Sequence, residues 1–385
     1  MRTGIITFIA IFFSLPSCGT KESQSLAGLT EVKITPDMSN QVNITTLITD
    51  IEIIPLETSD ACLIKQVRRV KTDGSHWYVQ DWNDAPLKVF SKEGGYITEI
   101  GSRGNGPGEF LQFSDFLIDD DHIDIFAWSG NKQWLHYSAN NKFLYGTAIT
   151  FPFDEIHKFD DNNYLVYVSN GTVFSEDSYN LYHIDNMFQV KSRIDGKKYP
   201  YDIKLDIAQD HFKYNAENLL YMKSYCDTIF KISSPLDITP KYHLDFGKNW
   251  YSAQFLRNNY EKSIFEIYEK IDNNHYAKWL SFLENDRHLV VGYAIKKDLE
   301  EPRHLAIYSR ETGAVYNFRD SDPVVALFAY PNCLSGNAFV SIIEADKFLK
   351  IASQIKGNDA VSEKIKQYAE RVIEDDNPIL IKYQL

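Results

Sequence analysis

Gly101-Ser102-Arg103-Gly104-Asn105-Gly106-Pro107-Gly108-Glu109-Phe110 lies between two near-copies of one strand pattern. It is therefore a joint between repeats, and the repeats decide the fold. Each copy reads as a strand, an Asp/Asn/Gly turn, a second strand, a loop, and a third strand ending near an aromatic residue. The first copy turns at Asp73-Gly74 and continues through Trp77-Tyr78-Val79 and Leu87-Lys88-Val89-Phe90. The second turns at Asp120-Asp121-His122 and continues through Ile123 to Phe126 and Trp134 to Tyr137. Four more copies follow, with turns at Asp161-Asn162-Asn163, Glu217-Asn218, Asn285-Asp286-Arg287 and Gly336-Asn337.

The aromatic anchors of the third strands are Phe90, Tyr137, Tyr182, Phe230, Tyr308 and Tyr383. Their first three spacings are 47, 45 and 48 residues, and the last two are 78 and 75. A four-stranded propeller blade takes about 40–50 residues, so each of the last two intervals holds an insertion of roughly 30. Both insertions carry apolar residues at helical spacing. They span about 250–272 and 344–376, the second broken at Gly357-Asn358. Six anchors predict an all-β, six-bladed β-propeller over 42–385 with two helical insertions. The sixth blade runs out of chain after its third strand, and Ile51-Glu52-Ile53-Ile54 is placed to supply the fourth, closing the ring without an open seam. A β-sandwich with helical insertions is the rival architecture, and the regular period argues against it.

Tyr78-Val79-Gln80-Asp81, Val89-Phe90-Ser91-Lys92-Glu93-Gly94-Gly95 and Gly104 to Phe110 together resemble the NHL-type repeat. In particular they look like the six-bladed β-propeller lipoproteins of gut-type Gram-negative bacteria, and Asn377-Pro378-Ile379-Leu380 is similar to that group's closing pattern. The resemblance covers roughly residues 50–385 and is sharp over the first two blades. It implies a fold and a cellular address more than an activity.

The amino terminus reads as that address. Arg2 opens a basic region, Gly4 to Phe13 is apolar but shorter than the roughly 20 residues a membrane span needs, and Leu15-Pro16-Ser17-Cys18 resembles a lipobox. This predicts a signal peptide over 1–17, lipidation at Cys18, and a polar tether over 18–41. The expected location is the outer membrane, facing the periplasm or the cell surface, with membrane contact through the lipid alone. Lys21-Glu22 is too short a charged signal to choose between the two sides. Cys62, Cys226 and Cys333 remain; no CxxC pair exists, and buried thiols are the expectation.

A net charge of −13 argues against a nucleic-acid partner, since phosphate binding needs a basic face. It leaves glycans, peptides and envelope proteins open. Strand alternation sends the loops between second and third strands, and the joints between blades, to one face. Both helical insertions and the glycine-rich joint therefore decorate the same face. Trp82, Trp128, Phe174 and Tyr225 sit in loops there, and Arg103, Asn105 and Glu109 flank the joint. Aromatic shelves suit sugar rings and peptide side chains; packing beneath the insertions is the alternative for each.

Catalytic motifs are not assembled. The glycine-rich joint fits neither phosphate-cradle pattern, and Pro107 removes a donor. The Asp119-Asp120-Asp121 run lacks EF-hand spacing and reads as a solvated hairpin. The histidines form no HExxH or His-x-His pair, so neither a metal nor a cofactor is assigned. On the innermost strands Arg68, Arg69, Asp115 and His157 are placed to reach the axial channel. The leading expectation is a lipid-anchored, non-catalytic binding protein using its decorated face. The alternatives are a lactonase-like hydrolase or sugar lyase working in the channel, and a scaffold docked through its helical insertions.

Overall fold

The computed structural model describes residues 28–37, 42–82, 86–119, 121–129, 132–150, 152–169, 179–196, 210–215, 218–224, 226–259, 262–295, 304–319 and 322–385. Six small antiparallel sheets form the ring of a six-bladed β-propeller. We letter the strands of each blade A to D from the axis outward. Blade 1 comprises Val67–Thr72, His76–Asp81, Leu87–Ser91 and Tyr96–Ile100. Blade 2 comprises Gln112–Ile118, His122–Ser129, Gln133–Ser138 and Phe143–Ala148. The A strands of blades 3 to 6 are Glu155–Asp160, Phe212–Tyr214, Lys278–Glu284 and Pro331–Ser335.

Turn chemistry sets the A–B hairpins. The Asp73 carboxylate accepts from the Ser75 and His76 amides, and Asn285 Oδ1 accepts from those of Arg287 and His288. Asp160 and Asn215 do the same in blades 3 and 4. A short side-chain acceptor that closes on its own following backbone is why Asp and Asn recur at this point of each repeat. The anchors Phe90, Tyr137, Tyr182, Phe230 and Tyr383 are buried between blades, whereas Tyr308 is half-buried.

The ring closes as the sequence predicts. Asp50–Pro55 forms the D strand of blade 6, in antiparallel register with Ile379–Gln384 from Asp50↔Gln384 to Pro55↔Ile379. Ile51 and Ile53 face a core that also holds Phe339, Ile381 and Tyr383. Two short helices, α1 (Ala253–Asn259) and α2 (Ile264–Asn273), occupy the joint between blades 4 and 5. Ser263 and Glu266 form a capping box at the start of α2. Helices α3 (Ala345–Gln354) and α4 (Ala360–Ala369) join strands B and C of blade 6. Their Phe348 and Ile365 are fully buried in the same core as Ile51 and Ile53, so this insertion is an integral part of the closing blade.

The tether requires a correction. Thr30–Lys33 pairs in parallel with the outermost strand of blade 4, Asp237–Asp245, in register Thr30↔Tyr242 to Lys33↔Asp245. Val32 and Ile34 alternate into the core at 0% and 2% exposure. That two-residue apolar period gives the segment a buried face, which a free tether would not need. The fold therefore begins near residue 30 rather than 42. Cys18 and the expected signal peptide lie outside the described residues.

Candidate functional site: the axial cavity

Inward-facing side chains of the A strands surround a cavity of about 470 Å3 on the propeller axis. A strands run from the interblade joints toward the A–B hairpins. Arg69, Asp115 and Glu155 form the inner layer of the cavity, while Thr72, Asp119, Lys158 and Gly336 lie at its hairpin end. The cavity thus extends to the face opposite the helical insertions, the one with the plain hairpins.

The inner layer is a buried ionic network. Arg69 Nη1 lies 2.9 Å from Asp115 Oδ1, and its Nη2 lies 2.7 Å from Asp210 Oδ1. Lys71 Nζ reaches the same Asp115 oxygen at 2.7 Å and donates to the Phe116 carbonyl at 2.5 Å. Lys213 Nζ lies 3.4 Å from Asp210 Oδ2 and donates to the Asn332 carbonyl at 3.0 Å. The carboxylates also bind the next blade's backbone: Asp115 Oδ2 accepts from Ile156 N at 3.0 Å, and Glu155 Oε2 from Phe212 N at 2.9 Å. In blades 2 and 3 one inward acid thus fastens the neighbouring A strand. A carboxylate can accept at two oxygens and so serve a cation and an amide together.

Titration follows from the layout. Burial works against the Arg69 charge, but Asp115, Asp210 and Glu155 outweigh it and raise its pKa. Burial likewise pushes Asp210 up, yet Arg69 and Lys213 hold its carboxyl below the ordinary range. Burial, seconded by Lys71, pushes His157 down to about 4. His157 is therefore neutral at pH 7, and its Nδ1 lies 3.1 Å from the Tyr214 hydroxyl. Burial raises the Cys333 thiol to about 12, so this cavity-lining cysteine stays protonated.

Of the channel residues expected from sequence, Arg69, Asp115 and His157 line this cavity. Arg68 turns instead toward the decorated end. Its Nη1 donates to the Phe113 carbonyl at 3.2 Å, and its guanidinium lies over the Trp82 ring at 4.6 Å. Together with Gln80, Asp81, Gln112 and Phe113 these two residues line a hollow of about 90 Å3. Trp82 is 43% exposed, as an aromatic shelf requires. Trp128 is half-buried against the core between blades 2 and 3, with Lys132 Nζ 4.3 Å above its ring. Tyr225 and Phe174 lie outside the described residues.

The glycine-rich joint is a folded loop of its own. Ser102–Arg103 and Glu109–Phe110 pair in parallel, and the Glu109 carboxylate accepts from Gly106 N at 2.9 Å. Glu109 is thereby turned into the loop. Arg103 and Asn105 are exposed on its surface. Sequence reasoning missed Lys71, Glu155, Asp210, Lys213 and Tyr214. The first two were within reach, because Arg69 and Lys71, and Glu155 and His157, stand two residues apart on single strands and must share a face.

The family model of a domain of unknown function, DUF4934, matches residues 29–384. The chain belongs to the DUF4934 family. That match starts one residue before the strand found on blade 4, in agreement with a fold that begins there. The DUF4934 chain is similar to the crystal structure of a candidate exported protein from Bacteroides fragilis NCTC 9343. The TM-score is 0.77 at 20% identity, covering 93% of this chain and 99% of that one. At that identity the likeness carries the fold. A streptogramin B lyase structure aligns at TM-score 0.36 and 9% identity over 70% of this chain and 72% of its own. No curated protein matches the sequence.

Proposed function

We propose that this DUF4934 protein is an exported, lipid-anchored binding protein that takes a polar ligand, a glycan or a short peptide, into the axial cavity. The observation that carries the reading is the wall of the cavity itself. Its charges are already matched, with Arg69, Lys71 and Lys213 facing Asp115, Asp210 and Glu155. Such a wall offers fixed dipoles rather than a net charge, which favours ligands rich in hydroxyl or amide groups. Each ammonium has three donors. Among the described residues Lys71 spends two on Asp115 and Phe116, and Lys213 spends two on Asp210 and Asn332, so one from each is left for a ligand. The lipobox at Cys18 and the exported relative support an envelope location. Among the described residues no helix is long and apolar enough to cross a membrane.

The decorated face is the second binding reading, favoured by the exposed Trp82 with Arg68 stacked on it. The enzyme reading, a hydrolase or sugar lyase in the channel, has the neutral His157 beside Tyr214 in its favour, as a base next to a hydroxyl. One titration series separates these. Saccharide and peptide libraries are screened by ligand-observed NMR against wild type, Lys71→Met, Lys213→Met and Trp82→Ala. The axial reading expects each lysine variant to weaken binding by about tenfold or more, the loss of a charged hydrogen bond, with Trp82→Ala unchanged. The reverse pattern moves the site to the decorated face. Turnover of a bound compound that vanishes in His157→Gln moves the protein to the enzyme class.

A further inference from the structure

We propose that blade 2 carries a divalent transition-metal site, of the kind that takes zinc, built from His122, Asp124 and His136. The inference does not rest on the ligand reading above. His122 and Asp124 are two residues apart on one strand and so share a face, and Asp124 stands directly opposite His136 on the next strand. One ligand atom from each of the three falls within 4.8 Å of the others. His136 Nδ1 lies 2.7 Å from Asp124 Oδ1, and His122 Nε2 lies 3.7 Å from Asp124 Oδ2. Asp119 Oδ2, at the turn into the strand, is 3.3 Å from the same His122 nitrogen but is paired with Lys158 Nζ at 2.7 Å, so the ligand set is the two imidazoles and Asp124. Tetrahedral ligands about 2.0–2.2 Å from an ion stand about 3.4 Å apart, so the 2.7 Å pair has to open to admit one.

Three further observations point to an ion rather than to a closed hydrogen-bond cluster. Asp124 is 2% exposed, and among the described residues its Oδ1 receives no aligned hydrogen bond despite the nearby imidazole. A buried carboxylate oxygen left without a donor is costly unless something positive sits on it. Asp121 Oδ1 lies 2.7 Å from His122 Nδ1. That contact favours the tautomer with hydrogen on Nδ1, which leaves the Nε2 lone pair facing Asp119 and Asp124. A carboxylate behind an imidazole is the usual support of a metal-bound histidine. Finally, the Tyr145 ring stacks on His136 at 4.1 Å and Trp134 flanks it at 4.6 Å, fixing the imidazole plane and limiting water. Two imidazoles and a carboxylate suit a borderline ion such as zinc, and disfavour calcium or magnesium, which prefer oxygen ligands throughout.

The competing account makes His122 an imidazolium paired with Asp119, Asp121 and Asp124. Calorimetric titration of the chelator-treated full-length protein with Zn(II) alone distinguishes the two. Cobalt(II) absorption in the visible region reports the ligand set. The expectation is one equivalent bound by wild type, weakened about tenfold or more in His122→Gln and in His136→Gln. His243→Gln, whose imidazole contacts only Asp227 among the described salt bridges, leaves binding unchanged. His122 is partly exposed, so its variant keeps the fold testable, and circular dichroism checks this. Zinc binding that is absent, or equal in wild type and both variants, overturns the proposal. So does a preference for magnesium or calcium.

Discussion

The side-chain amide of Asn377 donates to the Glu57 carbonyl oxygen at 2.6 Å, across 320 residues of chain. The same side chain donates to the Cys62 carbonyl at 3.0 Å and accepts from Ile64 N at 2.8 Å. Asn377 is 1% exposed and sits two residues before the strand that receives Asp50–Pro55. It holds the chain in place as it crosses from the closing blade to the first, just beyond the seam of the ring.

Asn377→Ala takes this partner from the buried Cys62 carbonyl and Ile64 amide, while the Glu57 carbonyl keeps the Cys62 thiol. Each lost partner costs about 1–3 kcal/mol, so the loss is on the order of 3 kcal/mol after relaxation. Asn377→Asp fares little better, because a carboxylate cannot donate to the two carbonyls. Urea unfolding monitored by tryptophan fluorescence measures this. A change under about 0.5 kcal/mol means the seam is held by strand pairing alone.

Asp115 touches Arg69, Lys71 and the Ile156 amide together. Asp115→Asn strands Lys71 without its counter-charge and leaves the buried Arg69 with Asp210 alone, at a cost of about 3–5 kcal/mol. The double variant Asp115→Asn with Lys71→Met recovers part of the loss, since one stranded charge is removed. Equal stability of single and double variants speaks against coupling between the two.

His157 gives the fold a pH dependence of definite sign. Its folded pKa, about 4, lies below that of an ordinary histidine. The unfolded chain therefore binds the proton more readily between pH of about 4 and 6.5. Stability from this group is complete above about pH 6.5 and declines as pH falls toward 4. Asp210, held low by Arg69 and Lys213 against its burial, adds a second loss that begins as pH falls below about 4. Thermal melts of His157→Gln across pH 4 to 7 are expected to show a flatter slope than wild type in the upper part of that window. An identical slope removes His157 as its source.

Gly101 opens the interblade joint at φ +80°, where a Cβ would lie 2.3 Å from the Phe110 ring. Phe110 is fully buried, so the ring has nowhere to retreat. Gly101→Ala combines backbone strain of about 1 kcal/mol with a core clash and is expected to lower the melting temperature by several degrees. Gly74→Ala is the control: φ is +91° but a Cβ there meets nothing within 4 Å, leaving the strain alone. Equal effects at both sites refute the packing argument.

The architecture was readable because it repeats. Aromatic anchors at near-constant spacing, Asp and Asn at every A–B turn, and amphipathic stretches in the two long intervals each carry a local signal. Closure by Ile51 to Ile54 was readable as well, since an apolar strand before the first blade and a missing strand in the last imply each other. Thr30–Lys33 escaped because four residues with one buried valine barely rise above a polar background. The site was less legible. Arg69, Asp115 and His157 follow from strand position, but their partners Asp210 and Lys213 come from another blade, and only closure of the ring brings them together. His122, Asp124 and His136 resemble no linear motif, because the spacing that joins them is the register of a hairpin rather than a distance along the chain.

The strand at Thr30–Lys33 shortens the leash. With the lipid anchor proposed at Cys18, the twelve residues to Thr30 would span about 40 Å at most. The point of attachment is the outer rim of blade 4, not either end of the axis. Were the chain anchored as proposed, neither end of the axis would be the point of tethering, and both mouths would stay clear of it.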